Sequence, residues 1–188
     1  MSPLAPKLDP TVARAPRTVD EFLRTYEGVE GRREFVDGEV IEMMTNVTLA
    51  HARVTGEFFA LRSRLGRAHD VVQRDFGVAT ARTARFPDVM VAKRGEDAKA
   101  LRTREPIVLA QVLSPNTMSA DFGDKVREYL AFPTLRHYVI LSQDAPAAWL
   151  WSRSAETGGW PDEPVFLEGE VDLPLPGLDI AVPLADLH

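Results

Sequence analysis

The chain has 188 residues, of which 45% are hydrophobic and 27% are charged, as is typical of a single globular domain. It contains no cysteine, which excludes disulfides, thiolate zinc sites and thiol nucleophiles and suits the reducing cytoplasm. No apolar run approaches the roughly 20 residues that a membrane-spanning helix needs. We therefore expect a cytoplasmic protein that does not enter the membrane.

The charges are distributed unevenly along the chain. The net charge is -6, yet residues 51–104 carry 12 basic and 6 acidic residues, whereas residues 105–188 carry 4 basic and 13 acidic ones. Ten of those 12 basic residues are arginines, whose planar guanidinium groups suit phosphate. The basic segment indicates either a nucleic-acid partner or a solvated helix face, and composition alone favours neither.

The first 66 residues predict an arm, two helices and a hairpin. Residues 1–17 contain four prolines and predict a flexible N-terminal arm, followed by one domain over residues 18–188. Thr18 and Glu21 have the spacing of a capping box and predict a helix over residues 19–27. Asp37-Gly38, between two runs of strand formers, predicts a hairpin. Apolar residues at helical spacing then predict one helix of about five turns from Thr48 to Gly66.

The remainder of the chain predicts strands with one helix among them. Strands are expected over residues 71–80, 86–91, 106–113, 137–142 and 147–151. The run over 106–113 is almost entirely apolar, which indicates a central strand covered on both faces. A helix is expected to end before Pro133, and the last 35 residues are expected to form an appended β-rich margin. This order predicts an α/β (α+β) fold with a mixed sheet flanked by helices.

Several well-known catalytic motifs are absent from the sequence. It has no phosphate-binding loop of the G-x-x-x-x-G-K-[ST] form, no G-x-G-x-x-G and no G-x-S-x-G. Its four histidines do not form a pair at metal-ligand spacing. The chemistry that remains open is that of carboxylates.

Two polar residues interrupt otherwise apolar strands. Asp88 begins one predicted strand and Gln111 lies within the central one. If the two strands are neighbours, a carboxylate and an amide oxygen could together bind Mg²⁺. The alternative is structural, with Asp88 hydrogen-bonded to backbone and Gln111 bonded to a neighbour in the core.

Three more residues could belong to the same site. Lys125 lies beside the apolar stripe of the predicted helix, and could either reach over the sheet edge or remain at the surface. Glu34 begins the hairpin and could either face the site or be solvated. His51, early in the long helix, could equally cap or pack that helix.

An ordered series of motifs runs through nearly the whole chain. It consists of Glu34-Phe-Val-Asp-Gly-Glu-Val, His51 at a helix start, Pro87-Asp88-Val, Gln111-Val-Leu-Ser-Pro-Asn-Thr117, Asp121 to Tyr129 with Lys125, His137-Tyr-Val-Ile and Leu175-Pro-Gly-Leu-Asp179. The series resembles the Uma-two family of bacterial endonucleases, a member of the PD-(D/E)XK nuclease superfamily. The resemblance covers roughly residues 18–186 and implies a restriction-endonuclease-like fold, with Mg²⁺-dependent or Mn²⁺-dependent cleavage of DNA.

The resemblance also implies a set of site residues. Asp88 matches the family's metal-binding aspartate, and Lys125 matches its lysine on the following helix. Gln111 stands where the family has a metal-binding glutamate, so the resemblance implies a weakened metal site to which Glu34 could add a second carboxylate. Superfamily relatives often act as dimers, which makes a homodimer the expected assembly.

Two other functions remain open at this point. The replacement by Gln111 favours a pseudo-nuclease, a nucleic-acid or protein binding module that keeps the fold without catalysis. A small acidic interaction protein with solvated arginines is the third interpretation.

Overall fold

The fold is described from a computed structural model, which describes residues 15–43, 47–95, 97–114 and 118–188. Most of the predicted N-terminal arm therefore lies outside the described residues. The helices in these ranges are α1 (Val19–Thr25), α2 (Leu49–Phe59), α3 (Arg62–Leu65), α4 (Met118–Phe122) and α5 (Asp124–Leu130), with 3₁₀ helices at Gly66–Ala68 and Leu184–Leu187. None of these helices has the length and apolar character needed to cross a membrane.

Thirteen strands lie within the described ranges. They are β1 (Arg32–Val36), β2 (Glu39–Met43), β3 (His69–Gln73), β4 (Gly77–Ala79), β5 (Thr83–Arg85), β6 (Val89–Lys93), β7 (Arg102–Thr103), β8 (Pro106–Val112), β9 (His137–Leu141), β10 (Ala147–Ser152), β11 (Val165–Glu168), β12 (Asp172–Leu175) and β13 (Ile180–Pro183).

The strands form a mixed six-stranded sheet, a five-stranded sheet and a separate hairpin. The larger sheet has the order β11-β10-β9-β8-β6-β3, and the smaller has the order β2-β1-β5-β4-β7. Strands β8 and β9 are parallel, as are β4 and β7, while the other pairs are antiparallel. The expected mixed sheet with flanking helices is confirmed.

Strand β8 lies in the middle of the larger sheet, between β6 and β9, as its apolar sequence predicts. Val108, Ala110 and Val112 pack into the core on the face covered by α2. Leu109 packs with α5 on the other face, against Tyr129. Because Gln111 follows the same alternation as Leu109, its side chain belongs to the α5 face.

Local signals account for the first elements. The Thr18 side chain accepts a hydrogen bond from the Glu21 N–H and caps α1, as the capping box predicts. Asp37 and Gly38 both have positive φ, 51° and 94°, in the β1–β2 turn, and this is the geometry that favours Asp-Gly in two-residue hairpins. The predicted helix start and hairpin are therefore confirmed.

Two predicted elements are divided in the structure, and a third has different bounds. The long helix splits into α2 and α3, because the chain tightens to i→i−3 hydrogen bonds around Ala60 and Leu61. The predicted strand over residues 71–80 is two strands in different sheets, β3 and β4. The strand expected over residues 86–91 begins only at Val89, as β6, and a further strand, β5, lies between the two expected strands. Strand pairing, which a single segment does not encode, sets the boundaries of the strands.

The C-terminal hairpin packs into the core. Leu173 and Leu175 of β12 and Ile180 and Val182 of β13 belong to the same apolar cluster as Val54 of α2. This hairpin therefore helps to cover the α2 face of the larger sheet.

Candidate functional site

Asp88 immediately precedes the first residue of β6 and is 4% exposed. One of its oxygens, Oδ2, accepts a hydrogen bond of 2.9 Å from the backbone N–H of Val112 on β8. The other, Oδ1, lies 3.4 Å from His51 Nε2, 3.8 Å from Arg74 Nε and 3.9 Å from Arg32 Nη1. A buried carboxylate requires hydrogen-bonding or charged partners. For Asp88 these are one backbone N–H and three nitrogen-bearing side chains.

These surroundings keep Asp88 ionised. Burial on its own would raise the pKa of this carboxyl, but His51, the Val112 N–H and Arg32 together outweigh burial and hold the pKa below its ordinary value. At neutral pH the site thus presents a carboxylate whose negative charge is offset by nearby cations.

Two side chains beside Asp88 have buried nitrogen atoms that form no hydrogen bond with the described residues. Both ring nitrogens of His51 are buried without a hydrogen-bond partner among the described residues, and so is Nε of Arg74. Arg74 also has a φ of 50°, a conformation that is strained for a residue with a side chain. Such unpaired donors and local strain are typical of functional sites rather than of packed cores.

Gln111 lies next to Asp88 in the sheet. Strands β6 and β8 pair with Val89 opposite Ala110, so one further step along that register places Asp88 across from Gln111. The Gln111 Nε2 donates to the Tyr129 hydroxyl at 3.4 Å. Burial, with Glu34 nearby, raises the pKa of Tyr129 well above its ordinary value, so this phenol is neutral.

Glu34 belongs to a buried ion-pair network. It is 3% exposed, and its Oε2 accepts a 2.7 Å hydrogen bond from Arg85 Nη1. Arg85 also donates to both carboxylate oxygens of Glu128, at 3.0 and 2.5 Å. Burial lowers the pKa of Arg85, but Glu128 and Glu34 outweigh it and raise the pKa above its ordinary value. The alternative in which Glu34 is a solvated strand residue is therefore wrong.

Lys125 is 2% exposed and points into the molecule from α5. Its Nζ donates to Asp121 Oδ1 at 2.9 Å and lies 3.9 Å from Glu34 Oε1. The other Asp121 oxygen, Oδ2, is buried without a hydrogen-bond partner among the described residues. The alternative of a surface lysine is therefore wrong, because this amine is held inside the molecule by two carboxylates.

The structure thus links all four predicted site residues through one chain of contacts. Asp88 bonds to the backbone next to Gln111, Gln111 contacts Tyr129 on the helix of Lys125, and Lys125 approaches Glu34. The backbone N–H of Phe86, two residues before Asp88, lies 3.5 Å from Glu34 Oε1.

The donor set can be tested against a divalent metal. In the described part of the chain, no three His, Asp or Glu side chains are grouped to hold a metal ion. Glu34 Oε2 is engaged by Arg85, whereas Asp88 and the amide of Gln111 lie across from each other in the register of β6 and β8. Mg²⁺ commonly uses one or two protein oxygens and fills its remaining positions with water and substrate phosphate. The residues present therefore fit one Mg²⁺ of that kind, with Asp88 and Gln111 as its protein ligands.

Sequence reasoning missed four side chains of this cluster as site residues. They are Arg32, Arg74, Arg85 and Glu128. Arg85 is the cross-strand partner of Glu34, one step beyond the pairing of Phe35 with Ala84. Only knowledge of the β1–β5 pairing could have distinguished Arg85 from the other arginines of the basic segment.

The chain is similar to known sequences and to a solved structure. It is 26% identical over 133 residues to the uncharacterized protein sll1609 of Synechocystis sp. (strain ATCC 27184 / PCC 6803 / Kazusa), which is 67% of this chain and 75% of that protein. It is also 26% identical over 161 residues to the uncharacterized protein slr1290 of the same organism, covering 82% of this chain and 78% of that protein.

A crystal structure described as "a putative nuclease belonging to DUF820" from Anabaena variabilis ATCC 29413 superposes with a TM-score of 0.71 at 15% identity, covering 92% of this chain and 97% of that chain. This likeness confirms the restriction-endonuclease-like fold. The family comparison matches residues 19–185 to Uma2, described as "Putative restriction endonuclease". The predicted resemblance is confirmed, and the chain belongs to the Uma2 family of restriction-endonuclease-like proteins.

Proposed function

We propose that this protein is an endonuclease that hydrolyses phosphodiester bonds in DNA with Mg²⁺ or Mn²⁺. The observation that carries the proposal is the buried polar cluster in which Asp88, Gln111 and Lys125 are linked at the ends of β6 and β8. A protein core does not retain an ionised carboxylate, an amide and an amine in contiguous positions without either full pairing or a function.

Asp88 and Gln111 are the residues that would hold the metal. When bound, the ion would polarise the phosphodiester and lower the pKa of the attacking water. Glu34 has no part in this binding, because its carboxylate is engaged by Arg85. Arg32 and Arg74 already offset the charge of Asp88, so metal affinity is expected to be low until a substrate phosphate adds its own negative charge.

The chain's own cations act on the phosphate. Arg32 and Arg74 lie beside Asp88 with their side chains 25% and 27% exposed, so they are accessible to a phosphate oxygen and can bind it. Lys125 stabilises charge that develops on the phosphate oxygens, and Asp121 positions its amine at 2.9 Å. His51 holds the Asp88 carboxylate in place from the start of α2.

A pseudo-nuclease that binds nucleic acid without cutting it is the second candidate. The specific observation in its favour is the charge balance at the site, where one carboxylate faces two guanidinium groups and an amide replaces the family's glutamate. This arrangement attracts an anion at least as well as it attracts a divalent cation.

Cleavage of plasmid DNA by purified protein separates the two candidates. We expect nicking in Mg²⁺ or Mn²⁺, none in EDTA, and loss of activity in Asp88→Asn and Lys125→Met. Lys99→Gln, at an exposed position, is the matched control and should cut at the parent's rate. Cleavage that persists in Asp88→Asn contradicts the proposal, and binding without cleavage by the parent supports the pseudo-nuclease. Light scattering after size-exclusion chromatography checks the expected dimer.

A further inference from the structure

A pocket of about 320 Å³ is lined by residues of α1 and β1 and by Arg32 and Arg74, the two arginines next to Asp88. One part of its wall is aromatic and aliphatic, with Phe22, Tyr26, Phe86 and Leu101. Arg32 and Arg74, the two arginines that flank Asp88, line another part. The pocket thus combines an apolar part with a part that holds two guanidinium groups, and the carboxylates of Glu27, Glu34 and Asp75 also line it.

Resting on the proposed function, we propose that this pocket receives one unstacked nucleotide of the nucleic-acid strand. Its base would lie in the aromatic compartment and its phosphate against Arg32 and Arg74. The bound strand would therefore have one nucleotide out of the base stack. The cluster around Asp88 does not by itself require this conformation.

The cationic side of the pocket is prepared for an anion. Arg74 Nε is buried without a hydrogen-bond partner among the described residues, and it lies 3.8 Å from Asp88 Oδ1. Arg32 donates one hydrogen bond, to the Phe86 carbonyl at 3.2 Å, and keeps its remaining donors for other partners. Planar forks with free N–H groups are suited to phosphate oxygens.

The apolar side of the pocket is suited to a base. Tyr26 and Phe86 are half-buried, and Tyr26 is braced by Phe22 with a centroid distance of 5.2 Å and by the Arg33 guanidinium at 4.9 Å. Aromatic rings can stack with a base of any sequence, because every base has a π face. Glu27 and Asp75 also line the pocket and supply acceptors for base amino groups.

The size of the pocket decides the form of the ligand. At about 320 Å³ it has the volume of a small-ligand site, which accommodates one nucleotide and excludes a stacked duplex. A base inside a duplex therefore has to flip out before it can enter, whereas a nucleotide in a single strand can enter at lower cost.

Binding in EDTA tests the proposal without any contribution from cleavage. The probes are a deoxynucleoside 5′-monophosphate, the same nucleoside without phosphate, and a labelled single-stranded oligonucleotide competed with unlabelled single strand or blunt duplex. We expect the monophosphate to bind more tightly than the nucleoside, and the single strand to compete better than the duplex. Equal competition by strand and duplex, or no binding of the monophosphate, overturns the proposal.

Three variants probe the pocket from different sides. Tyr26→Ala removes a ring, Arg74→Gln removes a charge, and Val29→Trp fills the space from a half-buried position in the pocket wall. Each should weaken binding of the monophosphate by about tenfold or more. Arg127→Gln, whose side chain is 80% exposed outside the pocket, is the control and should bind like the parent. A thermal melt shows whether Tyr26→Ala is folded. If it is not, Val29→Trp still tests whether the pocket binds the monophosphate.

The plasmid assay on the same proteins separates the two proposals. If the parent binds the monophosphate through these residues but never cuts DNA, the endonuclease proposal fails and the pocket proposal stands. If the parent cuts DNA and all three variants bind the monophosphate like the parent, the pocket proposal alone fails.

Discussion

Replacing Arg85 should destabilise the protein strongly, because this side chain neutralises a carboxylate that water does not reach. Arg85 donates at 2.7 Å to Glu34, which is 3% exposed, and at 3.0 and 2.5 Å to Glu128. In Arg85→Met, the partners that Glu34 keeps among the described residues are the Phe86 N–H at 3.5 Å and the Lys125 amine at 3.9 Å. Breaking a buried pair by removing one partner costs about 3–5 kcal/mol.

The Glu128 side of the network adds little to that loss. Its side chain is 19% exposed, so water can replace part of what Arg85 provided, and partly exposed pairs contribute little to stability. For a domain of this size, each kcal/mol corresponds to about 2–4 °C in Tm. We therefore expect a decrease of about 6–20 °C in Tm, with a matching loss in urea denaturation.

A double-mutant cycle identifies the partner responsible. Glu34→Leu combined with Arg85→Met removes both charges from the core, so the double variant should be more stable than the sum of the single losses predicts, by about 1–3 kcal/mol. Arg82→Met is the control, because Arg82 pairs with Asp37 at a site where its side chain is 76% exposed, and it should lose less than about 1 kcal/mol. A loss under about 1 kcal/mol in Arg85→Met, or a coupling energy near zero, would refute the reasoning and return Glu34 to the set of free carboxylates.

Three further predictions address the metal, the nucleic acid and pH. In calorimetry, Gln111→Glu should bind Mg²⁺ about tenfold more tightly than the parent, since a full charge replaces an amide dipole; no heat from either protein contradicts a metal site at Asp88. The affinity for duplex DNA should fall as salt rises, and replacing the exposed Arg62 and Arg67 with glutamine should reduce the slope of log K against log salt by about 2; an unchanged slope places the phosphate contacts elsewhere. Burial lowers the pKa of His137 below the ordinary 6.5, so the unfolded chain takes up a proton there before the folded chain does. Stability should therefore fall as pH decreases below about 6.5, by at most about 1.4 kcal/mol per pH unit, and urea denaturation of His137→Gln should show a flatter dependence over that range.

The central strand and the hairpin could be read from sequence, because their determinants are local. An unbroken apolar run has to be covered on both faces, and this is the position that β8 takes between β6 and β9. The Asp37-Gly38 turn needs positive φ at both residues, and both have it. By contrast, the division of residues 71–80 between β3 and β4 depends on which sheet each part joins. Local sequence patterns do not predict sheet membership.

The sequence by itself also selected Asp88, Gln111, Lys125 and Glu34, through their polar character in apolar surroundings and through the family resemblance. What only the tertiary structure decided is how their charges are shared. Arg85 pairs with Glu34 because β1 and β5 are neighbours, and Arg32 and Arg74 meet at Asp88 from separate parts of the chain. Electrostatic pairing falls off over a few ångströms in space and takes no account of distance along the chain. Strand packing therefore determines whether a carboxylate is free to bind a metal or is neutralised by an arginine. The sequence of a single segment does not show how the strands pack.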